Sequence, residues 1–84
     1  MQLRIQLFAG LTEQIGASTI DVSITDRDTE LTSAGLMRLL SQKYPQAASL
    51  LASSFVAVNQ AYADQEQRIH EGDEIAVIPP VSGG

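Results

Sequence analysis

The groups in this sequence that could do chemistry are few, and the most suggestive arrangement closes it. Ile75-Ala76-Val77-Ile78 is a short β-like run that stops at Pro79-Pro80, after which come Val81, Ser82, Gly83 and Gly84. Each proline fixes φ and lacks an N–H, so a sheet ladder cannot continue through the pair; a stiff extended arm is favoured instead. Gly83 and Gly84 have no side chain and can pass through gaps closed to other residues. The expected object is a strand that anchors, a rod that projects from residue 79 onward, and a slim tip ending in a carboxylate. The arm from Pro79 to Gly84 reaches at most about 20 Å. An ionised carboxylate is a poor acyl donor until one oxygen becomes a leaving group. Attack on ATP would make that conversion, giving an acyl-adenylate, and water would have to be kept out of the site.

The other chemical candidates are weaker. His70 is the one histidine and lies in a polar turn, Ile69 to Asp73, with no serine or cysteine constellation around it. It is expected in solvent. Glu71, Asp73 and Glu74 look like metal ligands in isolation, but no second cluster completes a site. Asp26, Asp28 and Glu30 imitate the opening of a calcium loop; Leu31 then stands where glycine is needed and Met37 where glutamate is needed, so a solvated turn is expected. Gly10 and Gly16 lack the Gly-Lys-Ser/Thr of a phosphate loop. No motif of a self-contained enzyme, bound cofactor or metal site is present. The chain end is the one activatable group.

The composition narrows the setting. Eighty-four residues with 44% hydrophobic content are enough for one small folded unit. There is no cysteine, which excludes disulfides and thiolate chemistry and fits a reducing compartment. Arg4 and Gln6 interrupt any signal-like apolar stretch, and no run approaches membrane-spanning length. A cytoplasmic protein without membrane attachment is expected. The formal net charge of −5 disfavours nucleic acid as a partner, because few groups would neutralise phosphates.

Those residues need a frame. In residues 2–9, Leu3, Ile5 and Leu7 alternate with Gln2, Arg4, Gln6 and Phe8, which predicts a half-buried strand with Phe8 on its polar face. A connection from Gly10 to Ala17 holds a helical turn near Leu11 to Ile15. Ile20, Val22 and Ile24 form a second alternating strand, antiparallel to the first. A helix is predicted from an N-cap at Thr32 or Ser33, burying Leu36, Leu39, Leu40 and Tyr44, with Met37 and Arg38 off the stripe and Pro45 closing it. Gly35 near its start costs about 1 kcal/mol relative to alanine. Ala47 to Ala52 is expected as a short helix with Leu50 and Leu51 inward. Phe55 to Asn59 returns to β with Val56 and Val58 in the core, Asn59-Gln60 turns, and Tyr62 lies on a brief strand. Gly72 supplies a positive φ before the last strand, whose Ile75 and Val77 face the core. By parity Ile78 faces out with Phe8, and Tyr62 is expected to join them as an apolar docking patch.

Pro79-Pro80-Val81-Ser82-Gly83-Gly84, preceded by Gly72-Asp73-Glu74-Ile75, resembles the end of the small, sulfur-carrying subunits of molybdopterin synthase. Leu7-Phe8-Ala9, Tyr44-Pro45 and Val56-Ala57-Val58-Asn59-Gln60 extend the likeness over essentially the whole chain. The resemblance implies an α+β fold of the ubiquitin-like β-grasp type, a mixed sheet of four or five strands packed on one main helix. The domain would cover 1–78 and the tail 79–84. It implies adenylation of Gly84 by an enzyme related to the ubiquitin-activating enzymes, which would consume ATP. A persulfide donor would then supply the sulfur of a thiocarboxylate. Gly83 would pass with Gly84 into the partner's site, while Phe8, Tyr62, Ile78, Pro79, Pro80, Val81 and Ser82 would contact partners. The sulfur would go to a cyclic pyranopterin phosphate, building the molybdopterin dithiolene within an assembly of two small and two large subunits. Catalytic side chains would belong to the large subunit. Other readings are a carrier for thiamine synthesis, tRNA thiolation or protein tagging, and a β-grasp interaction module that carries no sulfur. Thiamine carriers are usually shorter and lack Pro-Pro before the tail, which favours the molybdenum route.

Overall fold

The computed structural model describes residues 1–24 and 30–80. The acidic turn at Asp26 and Asp28, and the tail from Val81 to Gly84, lie outside the described residues. Alternation dictates the strands. In β1 (Gln2–Leu7) every second side chain is buried, and β2 (Thr19–Ser23) repeats the pattern with Ile20 and Val22 inward. The two pair antiparallel, Leu3 opposite Val22 and Ile5 opposite Ile20. Between them, α1 (Gly10–Ile15) buries Leu11 and ends at Gly16, whose φ of 91° is the left-handed value that glycine takes without strain. The first strand ends at Leu7, two residues short of the predicted span, because α1 begins at Gly10.

The main helix, α2 (Ser33–Lys43), starts where the sequence predicted. Thr32 is the N-cap, its Oγ1 accepting the Gly35 N–H at 3.1 Å. A Cβ on Gly35 would come no closer than 3.4 Å to that oxygen, so the glycine is a tolerated helix residue and not a steric necessity. The buried face differs from the predicted one. Leu36 and Leu40 are fully buried, but Leu39 is 38% exposed, and Met37 packs against the core in its place. At about 100° per residue, Ser33, Leu36, Met37, Leu40 and Tyr44 centre on one direction, from which Leu39 lies about 110° away. A stripe drawn through the leucines alone is rotated too far. After Tyr44, Pro45–Ala47 forms a 3₁₀ turn leading into α3 (Ala48–Ala52), which buries Leu51 and leaves Leu50 partly covered.

The remaining strands are β3 (Phe55–Val58), β4 (Ala61–Tyr62) and β5 (Ile75–Ile78). Asn59 and Gln60 between β3 and β4 have φ of 53° and 70°, the two positive values of a tight hairpin turn. The five strands form one mixed sheet in the order β2-β1-β5-β3-β4, with β1 and β5 parallel and the other pairs antiparallel. The first and last strands therefore lie side by side in its interior, as expected. One face packs on the helices through Leu3, Ile5, Leu7, Val56, Val58, Ile75 and Val77. Leu31 and Ile69 close the core from connecting segments, joined by a hydrogen bond from the Ile69 N–H to the Leu31 carbonyl at 2.9 Å. Neither was assigned to the core from sequence, since both sit among turn residues without a periodic pattern.

Candidate functional site

The last strand determines where the tail emerges. Parallel pairing sets Ile5 beside Ile75, Gln6 beside Ala76 and Leu7 beside Val77. The side chains that alternate with the buried ones, Ala76 and Ile78, thus emerge on the open face with Gln6 and, one step beyond the strand, Phe8. On the other side of β5 the register sets Phe55 opposite Ile78 and Ala57 opposite Ala76; Ala57 is in turn opposite Tyr62. The result is a hollow of about 340 Å³ lined by Phe8, Tyr62 and Ile78, with Gln6, Gln60 and Glu74 among its polar walls. Its floor is shallow-sided because the adjacent cross-strand pair is Ala57 and Ala76. Two methyl groups in the middle of a sheet leave space that larger neighbours then rim.

Phe8 and Tyr62 are 45% and 76% exposed, far more than a packing role requires of aromatic rings. Tyr62 is steadied by Phe55, itself 56% exposed, in an edge-to-face contact with ring centroids 6.0 Å apart. Phe8, Tyr62 and Ile78, grouped as a patch on the sequence, come together in the structure. Phe55 and the alanine pair are missing from that grouping. Both follow from the alternation that assigned Val56 and Val58 inward, had it been extended to the other face.

Pro79, expected at the base of the projecting arm, is buried, and Pro80 is exposed. The anchored part of the chain therefore runs one residue past β5. Val81, Ser82, Gly83 and Gly84, expected to contact or enter partners, lie outside the described residues.

Backbone geometry holds Phe8 in place. Ala9, the next residue, has φ 52° and ψ −129°, a region that residues with a Cβ seldom occupy. The turn is fixed from both sides: Leu11 N–H donates to the Phe8 carbonyl, Thr12 N–H to that of Ala9, and the Thr12 hydroxyl to that of Leu7, each at 3.1 Å. A glycine would adopt the same angles without the strain, so Ala9→Gly should stabilise the protein by about 1 kcal/mol. Urea unfolding would measure it, and an unchanged or lowered midpoint would contradict the strain.

At the opposite end of the hollow a second lock ties the hairpin to the start of β5. Asn59 Nδ2 donates to Asp73 Oδ1 at 3.1 Å, and Asn59 Oδ1 accepts the Glu74 N–H at 2.9 Å. Asp73 Oδ2 also accepts the His70 N–H at 2.8 Å. These bonds, the His70 backbone first and Asn59 second, hold the Asp73 carboxyl below its ordinary pKa. A carboxylate depressed in the folded state adds stability above its unfolded pKa and loses it as pH falls through the folded value. Acidification below about pH 4 should therefore weaken the fold less steeply in Asp73→Asn than in the parent chain, as denaturant titrations across pH would read. His70 itself is exposed, with Nδ1 3.8 Å from Asp73, as its position in a polar turn implied. Glu71 accepts the Gln2 N–H at 3.3 Å. Asp73 and Glu71 thus serve the backbone, and among the described residues no three acidic or histidine side chains are placed to hold a metal ion.

Comparison with known proteins agrees with this geometry. The ThiS family matches residues 5–84. The molybdopterin synthase sulfur carrier subunit of Dictyostelium discoideum is 47% identical, the match covering 99% of this chain and 96% of that protein. Among solved structures, SAMP1 from Haloferax volcanii is 26% identical, covers the whole of both chains and superposes with a TM-score of 0.81. A complex of subunits 1 and 2 of molybdopterin-converting factor from Helicobacter pylori contains a chain matched over its full length at 21% identity and a TM-score of 0.64, a likeness of fold.

Proposed function

Because this chain belongs to the ThiS family, we propose that it is the sulfur carrier of a molybdopterin synthase and bears the sulfur on Gly84 as a thiocarboxylate. The carrier reading is supported chiefly by the placement of β5. That strand is held between β1 and β3 in the sheet interior and hands the chain to Pro79-Pro80 beside an exposed apolar hollow. The tail and the surface at its root then act together, one entering a partner and the other docking on it. The choice of pathway rests on the full-length likeness to the Dictyostelium subunit.

Four steps follow in order. The Gly84 carboxylate attacks the α-phosphate of ATP in an activating enzyme, and pyrophosphate leaves. A persulfide sulfur displaces AMP from the acyl-adenylate, and a thiol from outside this chain then attacks the resulting sulfur–sulfur bond, leaving as a disulfide with the donor and freeing the thiocarboxylate. The carrier then moves to the larger synthase subunit, where the thiocarboxylate sulfur displaces a phosphate-ester oxygen from a carbon of a cyclic pyranopterin phosphate and leaves it joined to Gly84 as a thioester. Hydrolysis returns Gly84 to the carboxylate. This chain supplies no general acid or base to these steps; it supplies the acyl group, a side-chain-free approach through Gly83, and the docking surface around Phe8, Tyr62 and Ile78. Such transfer belongs in the cytoplasm, where a cysteine-free carrier meets reduced persulfide donors. Among the described residues no helix is long and apolar enough to cross a membrane.

The test is intact-mass spectrometry after incubation with the activating enzyme, ATP and a persulfide donor. The expected product has one oxygen of the terminal carboxylate replaced by sulfur, dependent on ATP. A chain that stays unchanged with a competent activating enzyme would overturn the carrier reading. A loaded chain that passes its sulfur to a thiazole precursor or to tRNA, and not to the pyranopterin, would overturn the pathway alone.

A further inference from the structure

The two edges of the sheet are unequal. One is β4, only Ala61 and Tyr62 long; the other is β2, five residues with neither proline nor bulge. In an antiparallel ladder, residues bonded to the neighbour alternate with residues whose backbone groups point away. Here Met1 and Ile24 exchange both hydrogen bonds at 2.8 Å, and Leu7 N–H donates to the Ser18 carbonyl at 2.8 Å. The bonded positions on this side are therefore 18, 20, 22 and 24. The N–H and C=O groups of Thr19, Asp21 and Ser23 point outward, with no strand paired to them among the described residues.

Natural edges are usually blunted by charge, shortness or a bulge. The one charge on this edge strand, Asp21, is partly neutralised from inside the sheet, its Oδ1 accepting from Arg4 Nε at 3.2 Å. Alongside the edge runs a groove of about 320 Å³ between β2 and α2, lined by Val22, Ser23, Leu39, Leu40, Gln42 and Lys43. This is where Leu39, the leucine turned out of the core, is found. Lys43 stands at the C-terminal end of α2 with Nζ 5.8 Å from the Tyr44 ring centroid, and no carboxylate lies within ion-pair distance among the described residues.

We infer that β2 and its groove take an extended segment of a partner protein as a sixth strand, with apolar side chains on Leu39 and an acidic one at Lys43. Main-chain bonds to Thr19, Asp21 and Ser23 would supply affinity, and the groove would read alternate side chains. The charge argument favours a partner over a second copy. The two-fold register that engages all three outward residues sets Asp21 opposite Asp21, where like charges repel. This surface shares no residue with the hollow around Phe8, so both can be occupied together.

Amide exchange of the ¹⁵N-labelled full chain tests this, with the peptide acetyl-Thr-Val-Thr-Ile-Thr-Glu-Thr-amide as probe. Valine, isoleucine and glutamate share one face of its extended form. Millimolar peptide should slow exchange at Thr19, Asp21 and Ser23 by about tenfold and leave Ile20 and Val22, already bonded, little changed. Leu39→Ser should weaken binding by at least about threefold, and Lys43→Glu should favour a peptide with lysine in place of the glutamate. Both side chains lie outside the core, and the spectrum of each variant checks its fold. No slowing at those three amides would overturn the proposal, as would shifts confined to the Phe8 and Tyr62 face. Slowing without peptide that grows with protein concentration would also overturn it, by assigning the edge to a second copy.

Discussion

One residue added after Gly84 should abolish sulfur loading. The activating centre must place the terminal carboxylate against the α-phosphate of ATP, and misplacement by about 1 Å costs on the order of a hundredfold in rate. An added alanine moves the carboxylate by a whole residue, about 3.5 Å in extended chain, and introduces a Cβ where glycine leaves room. Deleting Gly84 shifts the reacting atoms equally far in the other direction. Intact mass after timed incubation would give the rate of oxygen-to-sulfur exchange for each variant, with a loss of about a hundredfold or more expected. Stability should stay within about 0.5 kcal/mol of the parent, because the described strands and helices that bury the core end at Ile78. That separates a failure of chemistry from a failure of folding. An extended chain that loads at the parent rate without being trimmed would show that Gly84 is not the acyl group.

The prediction depends on a tail whose base is more firmly seated than the sequence suggested. Two prolines after a strand spell an arm that leaves at once, yet Pro79 is buried. Alternation explains why this was hard to see. It assigned Ile75 and Val77 inward, and Pro79 continues the same parity past the point where the ladder stops. Parity was the most dependable signal throughout. It fixes β1, β2, β3 and β5, and it puts Phe8 and Ile78 on one face once the first and last strands are parallel neighbours. It worked because one face of each strand is buried, so a one-residue slip would turn the core side chains outward. The helix was less legible. Its buried arc includes Ser33 and Met37, which carry weak hydrophobic signals, and excludes Leu39, which carries a strong one. Nor does local sequence reveal Leu31 and Ile69, whose burial depends on two connections meeting at the bridge between Thr32 and Arg68. The hollow itself was invisible. Alanines at 57 and 76 become informative only when the register makes them a pair.

That pair sets the expectation for the docking face. Removing the Phe8 ring should weaken binding to the larger synthase subunit by about 2 kcal/mol, roughly thirtyfold in Kd, the usual scale for an aromatic anchor. Tyr62→Ala should cost a similar amount, since the ring stands 76% exposed on the rim and its loss also frees Phe55. Ile78→Lys should be worse than either. It sets a charge between Phe8 and Phe55, in the part of the patch that a partner would have to desolvate. Filling the hollow from below makes a sharper test of shape. Ala76→Leu keeps the surface apolar but replaces the floor with a side chain of rim height, and should weaken binding by at least about tenfold. Calorimetric titration of each variant against the larger subunit would measure these losses, with Glu13→Ala on α1, remote from the hollow, expected to bind as the parent does. If Ala76→Leu bound normally while Phe8→Ala did not, the partner would be resting on the rim and leaving the hollow empty. If none of the four changed Kd, the face would have no part in docking, and affinity would have to come from the tail alone.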